Sequence, residues 1–179
     1  GTIPIEAALQ GLNMAPGLKR NFIAEEWPNF SPKLWEEARL EAKDLIRRDV
    51  VLDLAGFDCD KEVLSLARYH AQEAGVEKYI HFQERPLADF STKKKYGYLI
   101  CNPPYGERLE EKSTVERLYR EMGQVFSKLE TWSFYILTAY LDFERLFGRR
   151  ANKNRKLYNG MIKCYYYQFF GSRPPRRKA

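Results

Sequence analysis

At 179 residues the chain amounts to about one domain, long enough to bury a core without disulfide or metal staples. Thirty Lys+Arg against twenty-four Asp+Glu leave a net charge of +6, which permits an anionic partner without demanding one. Cys59, Cys101 and Cys164 are odd in number, widely spaced and set in apolar runs with no CxxC pair, which argues against a disulfide framework or a zinc site and for reduced thiols in the cytoplasm. No run is long and apolar enough to span a membrane, so neither a membrane nor a metal is an expected partner.

The chain opens on Gly1-Thr2-Ile3-Pro4-Ile5-Glu6-Ala7-Ala8-Leu9, which reads as a helix with no strand before it. Thr2 is expected to cap, Pro4 suits the first turn, and Glu6 favours the positive end of the helix. In an α/β unit a ligand-cradling loop leads into a helix that opens on Gly in this way; an ordinary capped helix is the alternative. From 11 to 30 the sequence is irregular, with Pro16, Gly17 and Pro28 as breakers. Phe22, Trp27 and Phe30 there, beside Lys19 and Arg20, suit either base stacking or pinning the loop to the core, and pinning is the commoner use of aromatics.

Ser31-Pro32 caps a helix whose apolar face is Trp35, Ala38, Ala42, Leu45 and Ile46. A strand is expected over 50–58, ending in Gly56 and Asp58. Asp60 caps the next helix, with Val63, Leu66, Ala67, His70 and Ala74 on one face and Gly75 as its stop. Tyr79 to Gln83 is another strand, and Pro86 to Phe90 is its exit loop. This is a βαβ unit, with a right-handed crossover expected. Both histidines, His70 and His81, are assigned structural roles by the usual burial preferences.

Tyr98-Leu99-Ile100-Cys101 is a short buried strand, and it runs into Asn102-Pro103-Pro104-Tyr105-Gly106. Consecutive prolines lack N–H donors and fix φ, so the ladder stops and the chain turns, presenting an amide, a carbonyl and an aromatic ring at the strand's C-terminal edge. In open α/β sheets ligands bind at that edge. Ser113-Thr114-Val115-Glu116 reads as a capping box, followed by the apolar stripe Val115, Leu118, Tyr119, Met122, Val125, Phe126 and Leu129. Trp132 to Tyr140 is a strand expected to be covered on both faces. A short helix over 142–147 and a hairpin turning at Asn159-Gly160 complete a domain over 1–171, with a flexible basic tail over 172–179. Basic runs at Lys93-Lys94-Lys95, Arg149-Arg150, Lys153 to Lys156 and the tail are either solvated faces or phosphate contacts.

Two positions carry chemistry. An acid just past a strand, Asp58, suits hydrogen bonds from the two hydroxyls of a ribose, although a turn acid is the plainer reading. Asn102-Pro103-Pro104-Tyr105 is more specific. An aromatic exocyclic amine is a poor nucleophile because its lone pair is delocalised. The Asn102 side-chain oxygen and the Pro103 carbonyl would accept its two hydrogens and aim the lone pair at an electrophile, while Tyr105 stacks on the ring. That division of labour is positioning and hydrogen-bond electrostatics, with no strong base.

On these residues the chain resembles the amino-methyltransferase branch of the class I S-adenosylmethionine-dependent methyltransferases. The longer stretch Asn102-Pro103-Pro104-Tyr105-Gly106-Glu107-Arg108-Leu109 is similar to the bacterial RNA methylases that carry a THUMP domain, especially the 23S rRNA guanine-N2 methyltransferases. Gly1 to Ala8 looks like the end of that family's Asp-Pro-x-Cys-Gly-Ser-Gly-Thr-Ile-Pro-Ile-Glu-Ala-Ala signature, and Ala15 to Trp27 resembles the segment before its inserted helix. The resemblance implies an α/β, Rossmann-like fold with a seven-stranded, mostly parallel sheet and an antiparallel C-terminal hairpin. By that resemblance the first strand and most of the glycine loop would be missing from the chain.

It also implies S-adenosyl-L-methionine as cofactor, RNA, ribosomal before transfer RNA, as partner, and a THUMP domain in the full-length protein. Asn102, Pro103, Pro104 and Tyr105 would form the catalytic motif. Gly1 and Thr2 would border the cofactor's methionine, Asp58 would hold its ribose, and Cys59, Pro86, Leu87, Asp89 and Asn102 would line the rest. Pro86 stands where the family commonly has an Asp, and Asp89 is the candidate substitute. Adenine-N6 methylation of nucleic acid and glutamine-N5 methylation of a release factor share the same motif and stay open, as does, from a different class, a degenerate, non-catalytic RNA-binding domain, of which Pro86 would be the first hint.

Overall fold

The computed structural model describes residues 1–106 and 109–175, with no account of the side chains of 109–111. Glu107 and Arg108 of the extended motif, and residues 176–179 of the expected tail, lie outside the described residues. The chain divides into two compact units, Gly1–Glu84 and Arg85–Ala179.

The first unit holds α1 (Thr2–Gly11), α2 (Pro32–Asp44), β1 (Leu54–Asp58), α3 (Lys61–Ala74) and β2 (Ile80–Glu84). β1 and β2 pair in parallel, Leu54 opposite Ile80 and Asp58 opposite Glu84, as the βαβ reading requires. Asp60 caps α3 by accepting from the amides of Glu62 at 2.8 Å and Val63 at 3.2 Å, and Gly75 ends it at φ +77°. The core is Ala8, Leu12, Leu64, Ala67, Ala71, Val76, Ile80 and Phe82.

Several expectations shift here. β1 begins at Leu54 rather than Val50, and Val51 is fully in solvent. Thr2 does not cap α1; it is the first helical residue, Gly1 holds the cap position without a side-chain bond, and Glu6 lies past the first turn. The buried stripe of α3 is Leu64, Ala67 and Ala71, whereas Val63 and Leu66 face solvent. The stripe turns because α1 meets α3 at Ala67, so closely that a Cβ on Gly1 would sit 2.6 Å from the Ala67 Cβ. His70 is therefore exposed, its ring edge against Tyr69, and His81 is exposed on β2, so neither plays the core role expected of it.

Ser31 caps α2 by accepting from the Lys33 amide, but no α2 residue is fully buried. What α2 supplies is Arg39. Its guanidinium donates to the carbonyls of Gly17, Leu18 and Arg20, pairs with Glu25, and lies over the Phe22 ring. Phe22 stacks on Trp35 at 5.9 Å, so this aromatic pins the loop, while Trp27 and Phe30 stay about half exposed.

The second unit holds β3 (Tyr98–Cys101), α4 (Leu109–Ser127), β4 (Ser133–Thr138), α5 (Phe143–Phe147), β5 (Lys153–Asn159) and β6 (Ile162–Phe169). Its sheet runs β3-β4-β6-β5, with β3 and β4 parallel and both pairings of β6 antiparallel. The α4 stripe Val115, Tyr119, Met122, Val125 and Phe126 packs with Phe134, Ile136, Phe143, Phe147, Tyr167 and Phe169. Phe126 and Phe134 stack at 4.7 Å, and each aromatic so buried contributes about 1.5–3 kcal/mol of transfer free energy.

The proposed capping box at Ser113-Thr114-Val115-Glu116 falls inside α4, which starts at Leu109, so Glu116 is free for other partners. β4 is fully covered on one face only: Phe134, Ile136 and Thr138 are buried, while Tyr135 and Leu137 are half-buried. The hairpin turn moves one residue along. Asn159 pairs with Ile162, which leaves Gly160 and Met161 as the central pair, and only Gly160 has positive φ, at +60°, as a type II′ turn requires. The mixed α/β architecture, parallel pairs with an antiparallel end, agrees with the sequence reading; the six strands among the described residues form a two-stranded and a four-stranded sheet. Among those residues no helix is long and apolar enough to cross a membrane, and no His/Cys/Asp/Glu cluster could hold a metal ion.

Candidate active site

β3 stops at Cys101, the last residue paired with β4, and the next two prolines have no N–H with which to extend the ladder. The chain leaves the sheet there with Asn102 and Pro104 exposed and Pro103 and Tyr105 half-buried. Gly106 closes the turn at φ +69°, and a Cβ on it would come 3.3 Å from the Val115 Cβ, so backbone and space both call for glycine.

The turn is held from below by a buried chain of hydroxyls. The Tyr119 phenol of α4 donates to the Pro104 carbonyl at 2.7 Å and lies 2.8 Å from the Thr138 hydroxyl at the end of β4. Tyr119 has one proton and gives it to Pro104, so Thr138 must donate to Tyr119. The Thr138 oxygen in turn accepts from the Tyr140 amide at 3.1 Å. Every hydroxyl in the series is satisfied, as burial demands, since Tyr119 and Thr138 are both wholly shielded from solvent. Burial pushes the Tyr119 phenol up to about 12, with the Thr138 bond pulling the other way.

Tyr140 extends the support. Its phenol donates to Glu116 at 2.6 Å, which pushes Tyr140 up to about 12 and holds the Glu116 carboxyl below the usual range. Arg120 pairs with the other Glu116 oxygen at 3.0 Å, and the Tyr119 ring meets Tyr140 and Phe143 edge-on at 5.5 and 5.0 Å.

Tyr105 turns its hydroxyl into the protein. That oxygen is buried without a hydrogen-bonding partner, close enough to Cys164, Asn159 and Asn102 to feel them but not aligned with any. Burial is the main cause that raises its phenol above the ordinary value. Cys101, beneath the turn, is pushed up to about 12 by burial, so it stays a thiol and is unsuited to nucleophilic work. The turn therefore offers neutral acceptors: the Asn102 carboxamide oxygen and the Pro103 carbonyl.

The residues expected around a cofactor divide between the units. In the first, Gly1 opens α1 and Thr2 follows it, while Asp58 ends β1 half-buried and Cys59 is exposed. Asp58 Oδ1 accepts the Asp60 amide at 3.0 Å, the contact of a turn acid. In the second, Pro86 leads into the 3₁₀ turn Leu87–Asp89, where Leu87 packs against the core and Asp89 is exposed. Sequence reasoning placed the motif but missed Tyr119 and Thr138 as its supports. The available signal was a phenol and a hydroxyl in otherwise apolar buried runs, groups that need partners wherever they are buried.

The family model of the RMKL-like methyltransferase domain (UPF0020) matches residues 1–168. The chain is 46% identical over 178 residues to "Putative RNA methyltransferase YpsC" of Bacillus subtilis (strain 168), covering 99% of this chain and 46% of that protein. It is 36% identical over 169 residues to the ribosomal RNA large subunit methyltransferase K/L of Legionella pneumophila (strain Corby), covering 93% of this chain and 24% of that protein. Among solved structures it resembles SMU.472, a "putative methyltransferase" complexed with SAH, with a TM-score of 0.93, 48% identity and coverage of 98% of this chain and 46% of the other. The chain thus spans half or less of the length of these relatives.

Proposed function

The chain belongs to the RMKL-like methyltransferase domain family, and from that premise we propose that it transfers a methyl group from S-adenosylmethionine to the exocyclic N2 amine of a guanine in RNA, ribosomal RNA of the large subunit first among candidates. The observation that carries the reading is the rigid Asn102-Pro103-Pro104-Tyr105 turn, tied at Pro104 by Tyr119 and offering two neutral acceptors at the end of β3. S-adenosylmethionine, when bound, supplies an electrophilic methyl group on a sulfonium. The donor set suits it: Asp58 ends β1 with a carboxylate for a ribose diol, and Gly1 and Thr2 open a helix in the same unit.

On the acceptor side, the Asn102 carboxamide oxygen and the Pro103 carbonyl accept the two amine hydrogens and orient the lone pair. Tyr105, its hydroxyl end buried, holds the base by stacking on the half-exposed ring. An amine inside a duplex cannot reach this turn, so a paired target must be flipped out. The proposal includes a cytoplasmic location and a THUMP domain elsewhere in the full-length protein.

Nucleoside analysis of ribosomal RNA from a deletion strain tests this reading. Loss of one N2-methylguanosine is expected. Loss of N6-methyladenosine instead would move the reaction to adenine, and unchanged ribosomal RNA with altered transfer RNA would move the substrate. Calorimetry on the full-length protein with S-adenosylmethionine separates the enzyme from a binding module, because absence of binding would remove the catalytic reading.

A further inference from the structure

The charge of the chain is not spread evenly. Residues 145–179 carry eleven of its thirty Lys+Arg and no Asp or Glu, whereas the rest carries nineteen against twenty-four. The positive excess therefore belongs to the C-terminal stretch that forms the β5–β6 hairpin, and the remainder of the chain is net acidic.

The register arranges part of that charge. Lys156 stands opposite Tyr165 and Tyr158 opposite Lys163, and directly opposed residues of an antiparallel pair share a face. The four side chains make a two-by-two array of alternating cation and ring. The Lys156 ammonium lies 5.5 Å from the centre of the Tyr158 ring and the Lys163 ammonium 5.3 Å from that of Tyr165. Every residue of β5 is exposed, Tyr158 at 64% and Met161 of the turn at 97%. Among the described residues none of Lys153, Arg155, Lys156 and Lys163 has a carboxylate partner.

The array also adjoins the candidate active site. Tyr165 is in register with Thr138, whose hydroxyl helps hold Pro104, while Asn159 and Cys164, on the opposite face of the hairpin, lie beside the Tyr105 hydroxyl. Tyr165 is half-buried against the core, so the exposed part of the array is the Tyr158 ring between two cations, which suits an unpaired strand: a base has a face to stack, and its linkages have phosphates to neutralise.

We propose that the β5–β6 hairpin is an RNA-docking surface, on which Tyr158 stacks an unpaired base flanking the target nucleotide while Lys156 and Lys163 contact its phosphates. This rests on the reading of RNA as substrate. Lys153 and Arg155, on the opposite face of the strand, extend the positive field without joining the array.

The test uses the full-length protein and a short fluorescein-labelled single-stranded RNA of mixed sequence, with binding measured by anisotropy across a salt series. Wild type is compared with Lys156→Gln/Lys163→Gln, Tyr158→Ala and Tyr158→Phe, all exposed positions whose variants are expected to melt as wild type does. Each lost phosphate contact removes about 0.7 from the slope of log affinity against log salt, so the double lysine variant is expected to lose about 1.4. Tyr158→Ala is expected to bind about tenfold more weakly with an unchanged slope, and Tyr158→Phe to bind as wild type, because stacking needs the ring and not the hydroxyl.

Unchanged affinity and slope in the lysine and alanine variants would overturn the proposal, as would wild type that binds phosphatidylserine vesicles through these residues and not the RNA. Methyl transfer to unmodified ribosomal RNA is measured in parallel. Wild type that transfers while all variants bind normally removes the docking surface alone; wild type that binds through the hairpin but transfers nothing removes the catalytic reading alone.

Discussion

The Tyr119 hydroxyl donates to the Pro104 carbonyl at 2.7 Å, joining the middle of α4 to the turn after β3. Proline fixes φ at Pro104, so tying its carbonyl also fixes ψ, and with it the direction in which Asn102 and Pro103 present their acceptors. Tyr119→Phe keeps the ring packing but leaves the Pro104 carbonyl and the Thr138 hydroxyl short of a partner, at a cost of about 1–3 kcal/mol in stability. The transfer rate is expected to fall about tenfold to hundredfold through misplacement of the turn, with cofactor affinity unchanged in calorimetry. Thr138→Val is expected to act in the same direction and Thr138→Ser to retain activity. Because the two hydroxyls act in series, the double variant Tyr119→Phe/Thr138→Val should lose less than the sum of the singles. Strict additivity in stability and rate would show that they do not form a unit.

Asn102→Ala removes one of the two acceptors that the proposed reaction needs, at an exposed position where no packing is lost. The variant is expected to fold as wild type, to bind S-adenosylmethionine nearly normally, and to lose transfer by two orders of magnitude or more, on the order of what one preorganised hydrogen-bonding group contributes. Retained transfer in a single-turnover assay would reduce the motif to a turn.

The parts of the molecule that sequence disclosed are those where a local rule has a single physical solution. Asp60 and Gly75 bracket α3 because orphan amides at one end and a left-handed residue at the other leave little choice, and the double proline after Cys101 stops a strand wherever it occurs. The parts it concealed depend on partners distant in the chain. The α3 stripe turned to Leu64 because of where α1 meets Ala67. The hairpin turn slid from Asn159-Gly160 to Gly160-Met161 because the pairing of β5 with β6, extended back to Lys153, fixed the register. At the site the pattern is the same: the motif was legible in consecutive letters, whereas the Tyr119–Thr138 support joins a helix to a strand nineteen positions on and shows only in space.

Three tyrosines, Tyr119, Tyr140 and Tyr167, are each held up to about 12, the first and last chiefly by burial and Tyr140 by its bond to Glu116. A raised value in the folded state means that the stability these groups contribute is complete below the unfolded value near 10 and is lost as pH rises from there toward 12. Tyrosinate absorbance in an alkaline titration is therefore expected to appear late for these three of the twelve tyrosines, and for Tyr105 and Tyr166, whose phenols burial also raises, together with loss of the folded circular dichroism signal rather than before it. Full ionisation of all twelve near pH 10 in a still-folded protein would contradict the burial assigned to Tyr119 and Tyr167.

Arg39 gathers three carbonyls, one carboxylate and one ring from residues 17–25, so a segment whose regular structure is the short 3₁₀ turn Ile23–Glu26 is tied together by a single side chain. Arg39→Ala takes the guanidinium from the Leu18 and Arg20 carbonyls, leaves the Gly17 carbonyl with its bond from the Arg20 amide, and leaves Glu25 with its bond from the Phe22 amide. Hydrogen bonds to a charged group contribute about 1.5–3 kcal/mol, which sets the scale of the expected loss, and the segment should open locally before the core unfolds. Limited proteolysis is expected to cut the variant between 17 and 27 several times faster than wild type while far-UV circular dichroism stays unchanged. Arg39→Lys should not restore protection, because an ammonium on a flexible stem cannot span the three carbonyls that the planar fork reaches together. Equal cleavage rates in wild type and Arg39→Ala would mean that Phe22 stacking on Trp35 alone holds the segment.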